Sequence, residues 1–246
     1  MIETLLILGG TADARALADA VLDRWPEMRV ITSLAGRTAS PRTPRGEINV
    51  GGFGGAKGLA DFMKRENVRA LIDATHPFAA EISKNASDAE RMTGRPRLTL
   101  MRRPWSYPKG TNVEHVADVA AAQAALGSED RRVFLAIGRK EITSFPDKPG
   151  RFHLLRFVDG MEGPLPFEKC HLLTGRPGSP EEEAKILDDF EIDTLVAKNG
   201  GSDLSRGKVD AAVIRGLRVV LIDPPAPPPP PHAETIVAAL NWLEGL

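Results

Sequence analysis

Apolar residues along this chain gather into short continuous runs separated by stretches with apolar positions at helical spacing. The run at residues 4–8 (TLLIL) has too few polar positions for a one-faced strand and predicts a strand covered on both faces. Gly9-Gly10-Thr11 breaks it, and residues 12–22 carry Ala14, Leu17, Ala18 and Val21 at helical spacing. The same alternation recurs. Further strands are predicted at residues 28–34, 48–50, 70–74, 97–101, 132–137 running into Gly138, 153–158, 169–173, 193–197 and 217–222. Helices are predicted at 57–67, at 77–93 with Pro77 at its first position and Gly94 as its stop, from Pro180, at 203–215 and at 232–246. An alanine-rich stretch, 113–126, predicts a helix joining two halves. Seven prolines in residues 224–231 predict an extended, stiff connector to the terminal helix. Gly51-Gly52-Phe53-Gly54-Gly55 reads as a mobile loop, a candidate lid.

Repeated β-α units predict an α/β fold of two doubly wound domains with mainly parallel sheets facing a common cleft. The expected division is an N-terminal domain at 1–112, a linking helix at 113–128 and a C-terminal domain at 129–246. Three strand-to-turn junctions would meet at the cleft: Leu8-Gly9-Gly10-Thr11, Asp73-Ala74-Thr75-His76-Pro77-Phe78, and Lys198-Asn199-Gly200-Gly201. In open α/β sheets ligands bind at the carboxyl ends of strands, so these turns are the first candidates for function.

Charge and composition narrow the field. With 32 basic and 33 acidic residues no global field favours nucleic acid, and 5% aromatic content argues against base stacking. No run approaches the ~20 apolar residues that span a bilayer. Nothing at the N-terminus reads as a targeting segment, so a cytoplasmic protein is expected. Cys170 is the only cysteine, and His115, His153, His171 and His232 do not form a metal-ligand spacing; no metal is expected.

The glycine turn after residue 8 is the geometry that offers amides and a helix N-terminus to phosphate, or it is a tight structural turn. It departs from the G-x-G-x-x-G dinucleotide fingerprint. NAD sites commonly end the second strand with an acid on the ribose hydroxyl, whereas this chain runs Ser33-Leu34-Ala35-Gly36-Arg37. That substitution favours a 2′-phosphate, hence NADPH; the alternative is a surface loop with an incidental arginine. Arg102-Arg103-Pro104-Trp105 suits a flat anionic ligand, or else an aromatic anchor at the domain exit. His76 stands at a predicted ligand edge as a candidate acid, or as an imidazole fixing its turn through backbone hydrogen bonds.

Taken together, Leu8-Gly9-Gly10-Thr11-Ala12-Asp13-Ala14-Arg15, Asp73-Ala74-Thr75-His76-Pro77-Phe78-Ala79, Gly138-Arg139 and Lys198-Asn199-Gly200-Gly201 resemble the precorrin-6A reductase family of cobalamin biosynthesis. Order and spacing match over essentially the whole chain, and the Thr-His-Pro-Phe-Ala segment is the most specific part. The resemblance implies two Rossmann-like domains and an NADPH-dependent reduction of one macrocycle double bond in precorrin-6A, or its cobalt complex, to precorrin-6B. On that basis Gly9, Gly10 and Thr11 are expected near the cofactor phosphates, and Ser33, Gly36 and Arg37 near the 2′-phosphate. Thr75, His76 and Phe78 would flank the nicotinamide, with Lys198, Asn199, Gly200 and Gly201 closing the cleft. Arg15, Arg102, Arg103, Arg139 and Lys198 are expected on the carboxylates of the tetrapyrrole substrate, and transient contact with neighbouring pathway enzymes would be natural. A short-chain dehydrogenase would need Tyr-x-x-x-Lys, and the sole tyrosine begins Tyr107-Pro108-Lys109-Gly110-Thr111. The remaining rival is a non-catalytic tetrapyrrole- or nucleotide-binding module, which predicts tight binding without oxidation of NADPH.

Overall fold

The computed structural model describes residues 4–36, 43–161 and 163–246. In chain order the elements are β1 (Thr4–Leu8), α1 (Ala12–Arg24), β2 (Arg29–Leu34), β3 (Glu47–Val50), α2 (Ala56–Arg65), β4 (Ala70–Asp73), α3 (Ala80–Thr93) and β5 (Arg97–Leu100). There follow β6 (Val113–Val116), α4 (Val119–Leu126), β7 (Arg132–Ala136), α5 (Arg139–Ile142), β8 (Phe152–Phe157), β9 (Cys170–Thr174) and α6 (Pro180–Asp189). The chain closes with β10 (Thr194–Lys198), a 3-10 turn (Asp203–Ser205), α7 (Gly207–Ile214), β11 (Arg218–Ile222), β12 (His232–Ala233) and α8 (Ile236–Glu244). Two compact units result: Met1–Arg103 with Pro225–Leu246, and Pro104–Pro224.

The first unit holds a six-stranded sheet in the order β12-β5-β4-β1-β2-β3, with every pair parallel. Alternation splits each apolar strand between two cores. Leu5, Ile7, Val30, Ile72 and Leu98 pack on one face with Leu17 and Val21 of α1 and Ala239 and Leu243 of α8. Leu6, Leu8, Ile31 and Leu71 pack on the other with Leu59 and Met63 of α2 and Ala86 of α3. Arg97, only 1% exposed, fastens the returning proline run to this sheet. Its guanidinium donates to Glu90 Oε2 (2.9 Å), Thr99 Oγ1 (2.6 Å) and the Pro229 carbonyl (2.8 Å). The glycine-rich stretch is anchored: Phe53 packs on Phe62 edge-to-face at 5.0 Å, and a Cβ at Gly58 would overlap the Phe53 carbonyl.

The second unit holds a parallel sheet in the order β6-β11-β10-β7-β8-β9. Its core gathers Phe134, Leu154, Leu195, Val209, Val219 and Leu221 with Leu187 and Trp105. Position for position this order repeats the first sheet, with β7 in the place of β1 and β10 in that of β4.

The sixth strands are exchanged. β6 follows β5 in the chain yet pairs with β11, and β12 follows β11 yet pairs with β5. The expected boundaries at 112 and 129 therefore do not hold. Residues 113–126 are not one linking helix but a strand and a helix of the second unit, and 225–246 return to the first. Val113 and Val116 flank the exposed Glu114 and His115, the short polar edge strand that an alanine-rich continuation hides.

His153 lies at the start of β8, wholly buried, with its ring stacked on Phe167 at 3.8 Å. Neither ring nitrogen has a hydrogen-bond partner among the described residues. Burial, aided by the Arg151 charge, pulls its pKa down to about 4. The fold thus holds the ring neutral, while the unfolded chain binds a proton below the ordinary value of 6.5. The associated stability is intact above pH 6.5 and declines as pH falls towards 4, by about 3 kcal/mol over the window. His153→Phe should remove that extra decline in urea unfolding measured between pH 7 and 4. An unchanged pH profile would show that His153 does not titrate there.

Candidate functional site

The first sheet changes winding direction between β1 and β4, and ligands of open α/β sheets bind outside such a switch point. Gly9 lets β1 close on β2: its amide donates to the Ser33 carbonyl (2.9 Å), and a Cβ there would meet Thr32 Cγ2 at 2.8 Å. Gly10 has φ +101°, and nothing lies within 4 Å of where its Cβ would stand, so there is room beside the turn. Thr11 caps α1, its hydroxyl accepting from the Ala14 amide (3.1 Å) and donating to the Ala74 carbonyl (2.7 Å). That hydroxyl is thereby spent on holding the β1 and β4 turns together. What this turn offers an anion are backbone amides of the first helical turn, which have no intrahelical partner.

The β4 turn is built on Asp73, which is 1% exposed. Its Oδ1 accepts from both the Thr75 amide (3.1 Å) and the Thr75 hydroxyl (2.7 Å). The expected helix start at Pro77 is displaced, and α3 begins at Ala80, because residues 76–79 form a separate turn closed by Ala79 N to His76 O (2.7 Å). His76 is exposed, its Nδ1 accepts from the Phe78 amide (3.3 Å), and the two rings lie 5.6 Å apart. In the neutral ring the proton is therefore on Nε2.

At the end of β2, Ser33 is 6% exposed and its Oγ receives Asn49 Nδ2 at 3.4 Å; Gly36 follows with φ +69°. Arg37 lies outside the described residues. Arg15 Nη1 reaches the Thr11 carbonyl at 3.5 Å. Arg102 is ion-paired with Asp13 in the first turn of α1, so the charge of that acid is balanced beside the helix N-terminus. Arg103, on the surface, pairs with Glu234 at 2.7 Å. Gly9, Gly10, Thr11, Ser33, Gly36, Thr75, His76 and Phe78 thus fall on one sheet edge, with Arg15 and Arg102 beside it.

In the second unit the equivalent switch point lies between β7 and β10. Arg139 opens the short helix α5, near the Asp159 carbonyl (3.3 Å) and with its guanidinium 5.6 Å from the Phe157 ring centre. Lys198 Nζ bonds Glu141 Oε1 at 2.6 Å, joining the two turns as Thr11 does in the first unit. Gly200 and Gly201 complete that turn, Gly201 with φ +68°. Asn199, 1% exposed, is committed inside the protein. Its Oδ1 accepts from the Trp105 amide (2.6 Å), and its Nδ2 donates to the Trp105 carbonyl (3.0 Å) and Asp223 Oδ1 (3.3 Å). Trp105, 5% exposed, sits in the second core, so of its two readings the anchor at the unit's entry is the one the geometry supports.

Asn49 and Glu141 carry no signal in the sequence that marks them as site residues, and Asp73 is marked there only as part of the β4 junction, without a role. Asp73 alone left a trace in the sequence, since an aspartate two residues before a threonine can bond that residue's amide.

The description "Precorrin-6x reductase CbiJ/CobK" belongs to a family model that matches residues 4–244. A precorrin-6A reductase of Rhodococcus erythropolis is 40% identical over 97% of this chain and 96% of its own length. A cobalt-precorrin-6A reductase of Priestia megaterium is 30% identical, covering 90% of each chain. The solved structure titled "CobK precorrin-6A reductase" superposes with a TM-score of 0.93 at 40% identity, covering 99% of this chain and 97% of that one. Sequence match and fold agree end to end: the chain belongs to the precorrin-6x reductase family.

Proposed function

We propose that the chain catalyses the NADPH-dependent reduction of one macrocycle double bond of precorrin-6A to a CH–CH single bond, giving precorrin-6B, in cobalamin biosynthesis. Membership of the family supports the reaction, and the greater likeness to a relative named for the metal-free substrate favours that form over the cobalt complex. One observation supports the cofactor: the first unit's switch point carries a glycine turn with room at Gly10, a capped helix N-terminus, and Ser33 at the strand end where an NAD site would carry an acid.

When bound, NADPH supplies the hydride; the protein's part is position and electrostatics. The amides of Gly10, Thr11 and the first turn of α1 would hold the phosphates, with Gly9 beside them, and Ser33, Gly36 and Arg37 would take the 2′-phosphate. Thr75, His76 and Phe78 flank the nicotinamide. Arg15, Arg102, Arg103, Arg139 and Lys198 receive substrate carboxylates, for which Arg102 exchanges Asp13, Arg103 exchanges Glu234 and Lys198 exchanges Glu141. Asn199 supports the Lys198–Gly201 turn from behind. His76 delivers the proton that the reduced double bond requires.

Calorimetric titration with NADPH and NADH tests the cofactor, with two variants alongside. Wild type should prefer NADPH; Arg37→Ala should lose that preference through weaker NADPH binding alone, and an equal loss for both would remove Arg37 from the site. His76→Ala should keep NADPH affinity and lose turnover, whereas full turnover would retire it as the acid. Tight binding of macrocycle and NADPH without oxidation would instead establish the non-catalytic module.

A further inference from the structure

Asp73 is the most buried acid at the candidate cofactor edge, and its hydrogen bonds are asymmetric. Oδ1 takes both donors of Thr75, the amide at 3.1 Å and the hydroxyl at 2.7 Å. Oδ2 is buried with no hydrogen-bond partner among the described residues. A hydroxyl has one proton to give. With that proton drawn to Asp73, the Thr75 oxygen has only lone pairs left for anything else. Thr11, across the same switch point, contrasts with it: its hydroxyl both donates, to Ala74, and accepts, from Ala14. Thr11 thus keeps one lone pair and is 8% exposed, whereas Thr75, half-buried, keeps both of its lone pairs for a donor among the described residues.

We infer that Asp73 is a positioning residue that fixes Thr75 as an obligate acceptor for the carboxamide N–H of the nicotinamide. The inference rests on the assignment of Thr75 to the nicotinamide made above. It excludes a phosphate or carboxylate oxygen as the partner of Thr75, because two acceptors facing each other would leave both unpaired. It also makes the pair a selectivity element: a cofactor whose ring carries a group without N–H loses the bond.

The test compares affinities by calorimetry, without turnover, for NADPH and for its 3-acetylpyridine analogue, in which a methyl ketone replaces the carboxamide. Wild type should bind NADPH roughly tenfold more tightly than the analogue. Thr75→Val should bring NADPH down to the level of the analogue and leave the analogue unchanged, while Thr75→Ser should restore the discrimination. Asp73→Ala, which removes the oxygen that draws the hydroxyl proton and leaves the hydroxyl free to turn, should also abolish discrimination. If wild type binds both alike, or if Thr75→Val still discriminates, Thr75 does not receive the carboxamide and the inference is overturned. Failure of wild type to bind NADPH at all would reject instead the cofactor assignment on which it stands.

Discussion

A chain ending at residue 224 should lose the cooperative unfolding of its first unit, although every strand from β1 to β5 is still present. The deleted segment supplies β12 and α8, which place Ala233, Ala239 and Leu243 in the first core and pack Ile236, Leu240 and Trp242 against it. Burying the four large side chains contributes on the order of 5–10 kcal/mol. A whole domain is stable by only about 5–15 kcal/mol, so the loss removes most or all of the margin. Arg97 would also lose the Pro229 carbonyl while remaining a buried cation, and β5 would become an open edge. By contrast, 104–224 is one continuous segment with its own core and should unfold cooperatively by itself. Calorimetry and near-ultraviolet circular dichroism of the two fragments decide the matter. A native-like, cooperatively melting 1–224 first unit would contradict the proposed weight of α8.

Glu183→Ala should cost about 3–5 kcal/mol, because it strands buried charge rather than removing a surface ion pair. Both oxygens of Glu183 accept from Arg156 Nη1, at 2.7 and 2.6 Å, and Oε1 also accepts from the Gly178 amide at 2.8 Å. The Arg156 side chain is 8% exposed and that of Glu183 is 1% exposed. Lys208, in the first turn of α7, lies within the field of the same carboxylate; burial pulls its pKa down to about 8, and Glu183 opposes that shift. Without the acid, Arg156 is left a buried cation without its carboxylate, and the Lys208 pKa falls further because Glu183 no longer opposes the effect of burial and of Arg156. The pair Arg156→Leu with Glu183→Leu should recover part of the loss, since apolar groups then replace one cation and the carboxylate. Urea unfolding of the three proteins measures this, and a single variant within 0.5 kcal/mol of wild type would show that the site is solvated in solution.

How far the sequence reaches can be seen from particular residues. β1 was readable to its ends because an uninterrupted apolar run is a local signal, and the same holds for the turn at Gly9 and Gly10. β6 was not, since two of its four residues are polar and exposed and the alanines that follow favour a helix. The start of α3 was misplaced because Pro77 is as suited to the turn that Asp73, Thr75 and His76 build as to a first helical position. For the candidate site, position at a strand's end could be read from neighbouring residues, but the task of each side chain could not. Arg102 meets Asp13 across 89 residues, Asn199 meets Trp105 across 94, and Arg103 meets Glu234 across 131. Such partners come together only through the sheet order.

The exchange of the sixth strands also sets a timetable for synthesis. When β5 leaves the ribosome, the first unit still lacks α8, one of the two helices that cover one face of its sheet, and the 121 residues from 104 to 224 must be made before that helix exists. At roughly 5–20 residues per second the wait is on the order of 6–24 seconds. Throughout it Leu98, Leu100 and the α1 side of the sheet stay without α8, whereas β6 to β11 emerge together and can fold at once. The unit that is begun first is therefore the one finished last, and during translation it is the part of this chain most in need of a chaperone.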